Sequence, residues 1–214
     1  MKRICLMIVS VVLMINLSSV QSNGNTLREI PLLGIKIGTN ISNVYDAKNE
    51  DFDADSKFGL AAGLFLAIPI GKYMGIQPEI LFSQKGFQAT GRLLGISYEL
   101  TRTTNYIDVP LLFALKPTGF LTVLAGPQYS FLLKQKDSFK SDISTVDVEK
   151  EFNNENIRKN TLCFLGGLDL NLDHLVIGIR TGWDILTNNG DGTSVTPRYK
   201  NVWYQFTVGY RFYY

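Results

Sequence analysis

This sequence of 214 residues has little net charge, two cysteines and one histidine. Lys2 and Arg3 alone account for the formal net charge of +2, because without them 19 of the 21 basic residues remain against 19 acidic ones. A neutral chain has no basic excess to attract a polyanion, and we expect no nucleic-acid partner. Of the two cysteines, Cys5 lies in the N-terminal apolar run, so Cys163 has no partner for an internal disulfide.

Residues 1–22 have the layout of a secretory signal peptide. The two basic residues precede an apolar run at 4–17, and small or polar residues follow it. That run is short for a transmembrane helix, which needs about 20 apolar residues. The longest later stretch, at 58–70, is interrupted by two glycines and a proline. We therefore expect residues 1–22 to be cleaved on export, with an uncleaved anchor as the alternative, and residues 23–31 to form a short periplasmic segment.

Alternation of apolar and polar residues marks the rest of the chain. Residues 204–214 place Tyr, Phe, Val, Tyr, Phe and Tyr at even positions and mostly polar or small residues at odd positions. A period of two is that of a β-strand with one apolar face. Eight segments follow this pattern, at 33–42, 57–68, 74–87, 96–115, 120–133, 161–172, 175–186 and 199–214. A final strand this apolar is typical of a transmembrane β-barrel, in which the last strand pairs with the first.

The connections between these segments alternate in length. Those at 71–73, 117–118 and 173–174 are tight, whereas those at 43–56, 88–95, 134–160 and 187–198 are longer and polar. Short turns at one rim and long loops at the other are the pattern of bacterial outer-membrane barrels, whose long loops are extracellular. The sequence therefore predicts an all-β fold over residues 32–214: an eight-stranded antiparallel up-and-down transmembrane β-barrel of OmpA/OmpX-like architecture.

The polar face of the predicted strands carries the charges. Nine ionisable residues fall on it: Lys36, Glu79, Lys85, Asp108, Lys116, Asp169, Arg180, Asp184 and Arg211. A Lys or Arg facing lipid at mid-bilayer costs about 2–4 kcal/mol, so this face must point into the lumen. An eight-stranded barrel has an interior just wide enough for side chains, and basic and acidic groups there can pair. We predict a plugged, polar lumen. A soluble lipocalin-like carrier, the alternative, requires the apolar face inside.

Five segments carry a resemblance to a known family. They are residues 34–42, 77–86, 106–111, 125–129 and 209–212, and they resemble the PorT-type outer-membrane β-barrel family of Bacteroidota. The resemblance implies an outer-membrane location, contact with outer-membrane lipid and insertion by the barrel-assembly machinery. It also implies that the aromatic end, Tyr210, Phe212 and Tyr214, is the signal which that machinery recognises. The founding type of the family is implicated in type IX protein secretion.

No constellation of catalytic or cofactor-binding residues stands out. His174 falls in a tight turn beside Asp173, which is typical of a solvated turn residue. Cys163 lies on the predicted lumen face with no second cysteine or histidine near it, which favours an inert buried thiol. The acidic run at 51–55 resembles the start of a calcium loop, but Ser56 stands where that loop requires glycine. The sequence therefore predicts neither a cofactor nor a metal, and no enzymatic activity.

Four functions compete for such a barrel. We expect a structural or interaction protein that meets a protein partner through its long extracellular loops, of which residues 134–160 form the largest, with a PorT-like association with protein secretion as one form of this role. A narrow pore for small solutes or ions is the main alternative. A lipid-modifying enzyme lacks the required residues, and the soluble carrier has its faces reversed.

Overall fold

The computed structural model describes residues 28–46, 54–93, 96–141, 145–151, 160–186 and 199–213. Nine strands fall within these ranges: β1 Leu32–Asp46, β2 Ala54–Pro69, β3 Met74–Leu93, β4 Ile96–Leu115, β5 Leu121–Ser141, β6 Thr145–Glu151, β7 Asn160–Leu172, β8 Leu175–Asp184 and β9 Tyr199–Phe212. The described part of the chain contains no helix that is long and apolar enough to span a membrane. The predicted signal peptide, the run at 51–53 and Tyr214 lie outside the described residues.

Eight of these strands close into a ring. Every neighbouring pair is antiparallel, and the order around the ring is β1-β2-β3-β4-β5-β7-β8-β9, with β9 returning to β1. At this closure Ile35 lies opposite Tyr210 and Ile37 opposite Val208. Closure leaves the ring without an exposed edge at membrane level, as a hydrocarbon environment demands. The predicted eight-stranded barrel, with its last strand paired to its first, is confirmed.

The ninth strand, β6, is an addition to the ring. It pairs with the outer part of β5, where Lys134–Lys140 lie opposite Glu151–Thr145. β3, β4 and β5 are 20, 20 and 21 residues long, about twice the 9–11 residues that cross a bilayer. The predicted loops at 43–56, 88–95 and 134–160 are therefore wrong in part, since residues 43–46, 54–56 and 88–93 and most of residues 134–151 are strand. Their polar composition indicated loops, because a strand beyond the bilayer needs no apolar row facing lipid.

The three tight turns fall where the sequence predicts them. They join β2 to β3 at 70–73, β4 to β5 at 116–120 and β7 to β8 at 173–174. Gly71 has φ 97° and Asp173 has φ 48°, a region open to glycine and the one in which Asp is enriched. We call this end the short-turn rim, comprising residues 28–31, 70–73, 116–120, 173–174 and 211–213. The opposite end is the long-loop rim.

The two faces of the barrel are the reverse of those in a soluble protein. Large apolar side chains on the outside are exposed; Ile37, Leu64 and Val208, for example, are 60%, 50% and 51% exposed. The interior instead buries polar and charged side chains. A continuous outer belt of this kind is stable only in lipid. The soluble-carrier alternative, which requires the apolar face inside, is wrong.

Candidate functional site: the filled lumen

A cluster of four ion-paired residues, here called the lower cluster, lies inside the barrel nearer the short-turn rim. It consists of Lys36 on β1, Glu79 on β3, Asp169 on β7 and Arg180 on β8, none of them more than 5% exposed. The Lys36 ammonium lies 2.8 Å from Glu79 Oε1, and Arg180 Nη1 lies 2.7 Å from Glu79 Oε2. Arg180 Nη2 lies 3.1 Å from Asp169 Oδ2. Two cations share two carboxylates, so the cluster as a whole is neutral.

Neutral groups complete the lower cluster. Gln77 Nε2 donates to Glu79 Oε1 at 2.9 Å and reaches Asp169 Oδ2 at 3.3 Å. The ring of Phe65 lies 4.7 Å from the Lys36 ammonium, in cation–π geometry. Space for this inward ring comes from Gly34, where a Cβ atom would lie 2.3 Å from Phe65 Cζ. A buried ion pair needs partners for its remaining hydrogen-bonding positions, and Gln77 supplies two such bonds, while Arg180 Nε stays without a partner among the described residues.

The lower cluster spans the whole width of the lumen. β3 and β8 are four steps apart in either direction around the ring, so Glu79 and Arg180 come from opposite walls. Their contact, 101 residues apart in sequence, joins those walls directly. The lumen is therefore crossed at this level by side chains that are bonded to one another.

A layer of uncharged hydrogen bonds lies above the lower cluster. Asn40 Nδ2 donates to Ser83 Oγ at 2.9 Å, and Gln205 Nε2 donates to Asn40 Oδ1 at 2.9 Å. All three side chains are buried. These hydrogen bonds join side chains of β3, β1 and β9 inside the lumen. The polar side chains that fill the lumen therefore continue from the lower cluster towards the long-loop rim.

A second charged group, the upper cluster, lies nearer the long-loop rim. Lys85 Nζ lies 3.0 Å from Asp108 Oδ2, with both side chains 1% exposed. The same ammonium lies 3.7 Å from the centroid of the Trp203 ring and 5.1 Å from that of Tyr106. Trp203 comes from β9, and the Lys85 ammonium over its ring comes from β3, three steps away around the ring. The indole also belongs to a buried apolar cluster that includes Leu112 of β4. Side chains from distant strands therefore meet at this level too.

The cysteine lies in the wall of this upper cluster. Cys163 is fully buried, and its Sγ lies 3.0 Å from Asp184 Oδ1. Asp184 Oδ2 accepts hydrogen bonds from the backbone N and the side-chain Nδ2 of Asn201, at 3.0 and 2.6 Å. Ser130 Oγ lies 3.5 Å from the same sulfur. In the described part of the chain, no group of three or more His, Cys, Asp or Glu side chains is placed to hold a metal ion.

The nine charged residues singled out from the sequence fall into three places. Lys36, Glu79, Asp169 and Arg180 form the lower cluster, and Lys85, Asp108 and Asp184 belong to the upper one. Lys116 and Arg211 lie at the short-turn rim. Lys116 Nζ donates to the carbonyl oxygen of Arg28 at 3.3 Å. Arg211 Nε donates to the carbonyl oxygen of Asp173 at 3.1 Å, and among the described residues Arg211 forms no ion pair with a carboxylate.

Sequence reasoning singled out charges and missed the neutral residues that fill the same space. Gln77, Asn40, Gln128, Gln205 and Trp203 are all buried in the lumen. A signal was available, because each occupies an inward position in the strand alternation. Trp203 is the largest of the fully buried side chains. A buried tryptophan on the polar face of a membrane barrel is a sign that the lumen is filled.

The aromatic end of the chain is arranged around His174. Its ring stacks on Tyr210 and Tyr213, with centroids 5.1 and 4.0 Å apart, and its Nδ1 lies 2.9 Å from the carbonyl oxygen of Arg211. His174 therefore lies in the predicted turn but is packed between two rings. Tyr210 and Phe212 face outward and are 45% and 47% exposed.

Comparison with known proteins places the chain in one family. Residues 21–189, well over half of its length, match the family described as Outer membrane protein beta-barrel domain. No curated protein sequence matches the chain.

Several solved structures share its strand arrangement at low identity. Ail, the attachment invasion locus protein of Yersinia pestis, is 16% identical over 85% of this chain and 98% of its own, with a TM-score of 0.48. Neisserial surface protein A is 7% identical over 84% and 97%, with a TM-score of 0.44. OprG of Pseudomonas aeruginosa is 13% identical over 87% and 98%, with a TM-score of 0.39. TM-scores below 0.5 support no inference about function, and the fold follows from the strand pairing instead.

Proposed function

We propose a function from one premise: this chain belongs to the outer membrane protein beta-barrel domain family and is a protein of the bacterial outer membrane. In this proposal the barrel is a closed, non-enzymatic anchor. Its work is done beyond the membrane, where the long-loop rim meets a protein partner. The residues that cross the bilayer hold the barrel shut, and the strand extension above them presents the binding surface.

One observation carries the proposal: the lumen is blocked twice. The Glu79–Arg180 pair joins opposite walls in the lower cluster, and in the upper one Trp203 of β9 meets Lys85 of β3 inside the lumen. The polar side chains between these levels bond to one another and are buried, so no solute or substrate reaches them. This filled interior supports a closed barrel, and it directs the proposal to the outer surface.

The strand extension supplies the interaction surface. β4 and β5 remain paired as far as Tyr98 and Ser141, and β6 adds a strand to β5 there. Arg102 and Asp137 stiffen the extension through two hydrogen bonds, Nε to Oδ1 at 2.7 Å and Nη2 to Oδ2 at 2.9 Å. A rigid sheet above the membrane presents its side chains at a lower entropic cost than a free loop does.

Partner capture from native membranes tests this role. The chain is compared with a variant in which residues 142–159 are replaced by a short Gly-Asn linker, which removes β6 and leaves the ring intact. Shortening residues 187–198 by the same linker is the matched control. We expect a specific protein to be retained by the parent chain and by the control, and to be lost from the first variant. Equal retention by all three chains rejects the strand extension as the binding surface.

A PorT-like association with protein secretion is the finer form of the proposal. Its support is the resemblance of residues 34–42 and 77–86 to that family. It predicts that deleting the gene in its native host blocks export of secreted proteins and that the parent chain restores it. Normal export in the deletion strain removes the secretion role and leaves the interaction role standing.

A narrow pore is the competing function. It requires a continuous aqueous path, which the buried lower and upper clusters interrupt. Planar-bilayer recording of the purified barrel distinguishes the two, because a closed barrel gives no unitary current. Reproducible single-channel steps from the parent chain contradict the closed-anchor proposal.

A further inference from the structure

The short-turn rim carries more positive than negative charge. Its described residues include four cations, Arg28, Lys72, Lys116 and Arg211, against two carboxylates, Glu29 and Asp173. This imbalance contrasts with the lower cluster, where cations and carboxylates are equal in number. The rim lies at or beyond the ends of the strands that cross the bilayer, so charges from outside the barrel can balance its own.

Three of these cations meet at the opening of the barrel. Lys116 is only 9% exposed and donates to the carbonyl oxygen of Arg28, while the Arg28 guanidinium donates to the carbonyl oxygen of Lys116. Arg211 approaches from β9, the strand opposite β4 in the ring. Burial lowers the pKa of Lys116, and the positive charges of Arg28 and Arg211 lower it further. The positive charges of Arg28 and Arg211 thus repel that of Lys116, which is partly desolvated.

None of the three is in ion-pair contact with a carboxylate of the described residues, although the charges of Asp169 and Asp173 act on Arg211 at longer range. Among the described residues, Arg28, Lys116 and Arg211 have backbone carbonyl oxygens as acceptors and no ion pair. Arg28 Nε is buried without any hydrogen-bond partner. Asp169 is held by Arg180 and Gln77. Within the lumen the same chain pairs Lys36, Lys85 and Arg180 with carboxylates, so an unpaired group of cations at its mouth points to a counter-charge from outside.

We propose that the short-turn mouth is a binding site for a phosphate oxyanion, formed by Arg28, Lys116 and Arg211. A guanidinium presents a planar fork that matches two phosphate oxygens, and an ammonium adds a point charge. The Arg28 guanidinium carbon lies 5.2 Å from the centroid of the Tyr73 ring, which holds the fork in one orientation.

Two sources of phosphate reach this rim. Short turns of outer-membrane barrels face the periplasm, so the rim lies at the headgroups of the inner leaflet and is also open to soluble phosphate. Tyr73 and Phe120 are 56% exposed here, beside the lipid. The site would bind a phosphate group in both cases, and the experiment distinguishes a lipid headgroup from soluble phosphate.

Binding is measured on the purified barrel in octyl glucoside and phosphate-free buffer. Inorganic phosphate and dihexanoyl phosphatidylglycerol are titrated separately by calorimetry, with dihexanoyl glycerol as a phosphate-free lipid. We expect saturable binding of at least one phosphate probe. Arg28→Gln and Lys116→Gln each weaken it about tenfold, the loss expected for one charge-assisted hydrogen bond. Lys140→Gln, an equal charge change on an exposed residue of β5 at the other rim, leaves the affinity within about twofold.

The outcomes separate cleanly. Binding of the phospholipid alone identifies a headgroup site, and binding of inorganic phosphate identifies a soluble oxyanion site. Binding of neither probe, equal binding of dihexanoyl glycerol, or equal affinity in Arg28→Gln and the parent chain overturns the proposal. Arg28 precedes β1, so its replacement leaves every barrel strand unchanged and the Arg28→Gln result stands even if Lys116→Gln fails to fold.

Discussion

Glu79 on β3 and Arg180 on β8 meet in the middle of the lumen, with 2.7 Å between Oε2 and Nη1 and both side chains fully buried. The two strands are opposite in the ring, so this contact is a crossbar between walls that share no backbone hydrogen bond. A membrane barrel turns its apolar face to lipid and cannot build an apolar core of the usual kind. Paired charges take the place of that core, and their geometry decides whether they stabilise it.

Neutralising Glu79 is expected to destabilise the barrel strongly. Glu79→Gln keeps the volume but leaves Lys36 and Arg180 with Asp169 as the one remaining carboxylate of the lower cluster. An uncompensated buried charge costs about 3–5 kcal/mol, which we expect to see in the free energy of unfolding. Urea titration in lipid vesicles, followed by the gel shift of the folded barrel, measures this loss.

Arg102→Gln is the control for that measurement. It breaks the ion pair with Asp137, whose two side chains are 22% and 14% exposed. This pair is only partly buried, so its loss is expected to cost less than that of Glu79, on the order of 1 kcal/mol. Equal losses of unfolding free energy in Glu79→Gln and Arg102→Gln show that the Glu79–Arg180 contact stabilises the barrel no more than the Arg102–Asp137 pair does.

Opening the lumen is expected to require two changes in series. Glu79→Ala with Arg180→Ala removes the lower crossbar but leaves Trp203 inside the lumen above it. Trp203→Ala alone leaves the lower crossbar in place. Neither variant should conduct, whereas the triple variant should give small unitary currents in planar bilayers. Conductance of either partial variant at the level of the triple variant shows that one of the two levels does not block the lumen.

Much of this architecture can be predicted from the sequence, because the bilayer imposes it. A strand in lipid must be apolar on one face, so the alternation at 74–87 or 204–214 assigns each side chain to lipid or lumen. The nine charges follow from the same parity. How far along its strand a residue lies is harder to predict from the sequence. Lys116 and Arg211 have the inward parity yet lie at the rim, because each stands at or beyond the end of its strand.

Two features could not be predicted for physical reasons. The partners of Glu79 depend on the register of strands that are not neighbours, and a linear pattern carries no such register. β6 and the outer parts of β3 and β5 lie beyond the bilayer, where apolar residues such as Val146 and Val148 are few and lie among charged ones. The sequence there resembles that of a loop, and only the pairing of Lys134–Lys140 with Glu151–Thr145 shows a sheet.

Gly182 is expected to control the position of Trp203. A Cβ atom at Gly182 would lie 2.4 Å from Trp203 Cζ2, so Gly182→Ala must displace the indole or the strand. Overpacking of this kind costs about 1–3 kcal/mol. In a Trp183→Phe background, the fluorescence of Trp203 should shift to longer wavelength as the ring loses its buried place. Gly166→Ala is the control, since its Cβ would meet nothing closer than 4.0 Å, and it should leave the spectrum unchanged.

Cys163 is expected to be unreactive in the folded barrel. The residue is fully buried, and its sulfur lies between Ser130 and Asp184 in the wall of the upper cluster. A thiol reacts as the thiolate, and burial beside a carboxylate disfavours that form while also excluding the reagent. A maleimide should therefore label the protein only after urea unfolding. Lys140→Cys, which places a thiol at an exposed position of β5, should label at once under the same native conditions. Native labelling of Cys163 at the rate of Lys140→Cys shows that water and solutes reach the upper cluster, and it contradicts the closed lumen from which the proposed function starts.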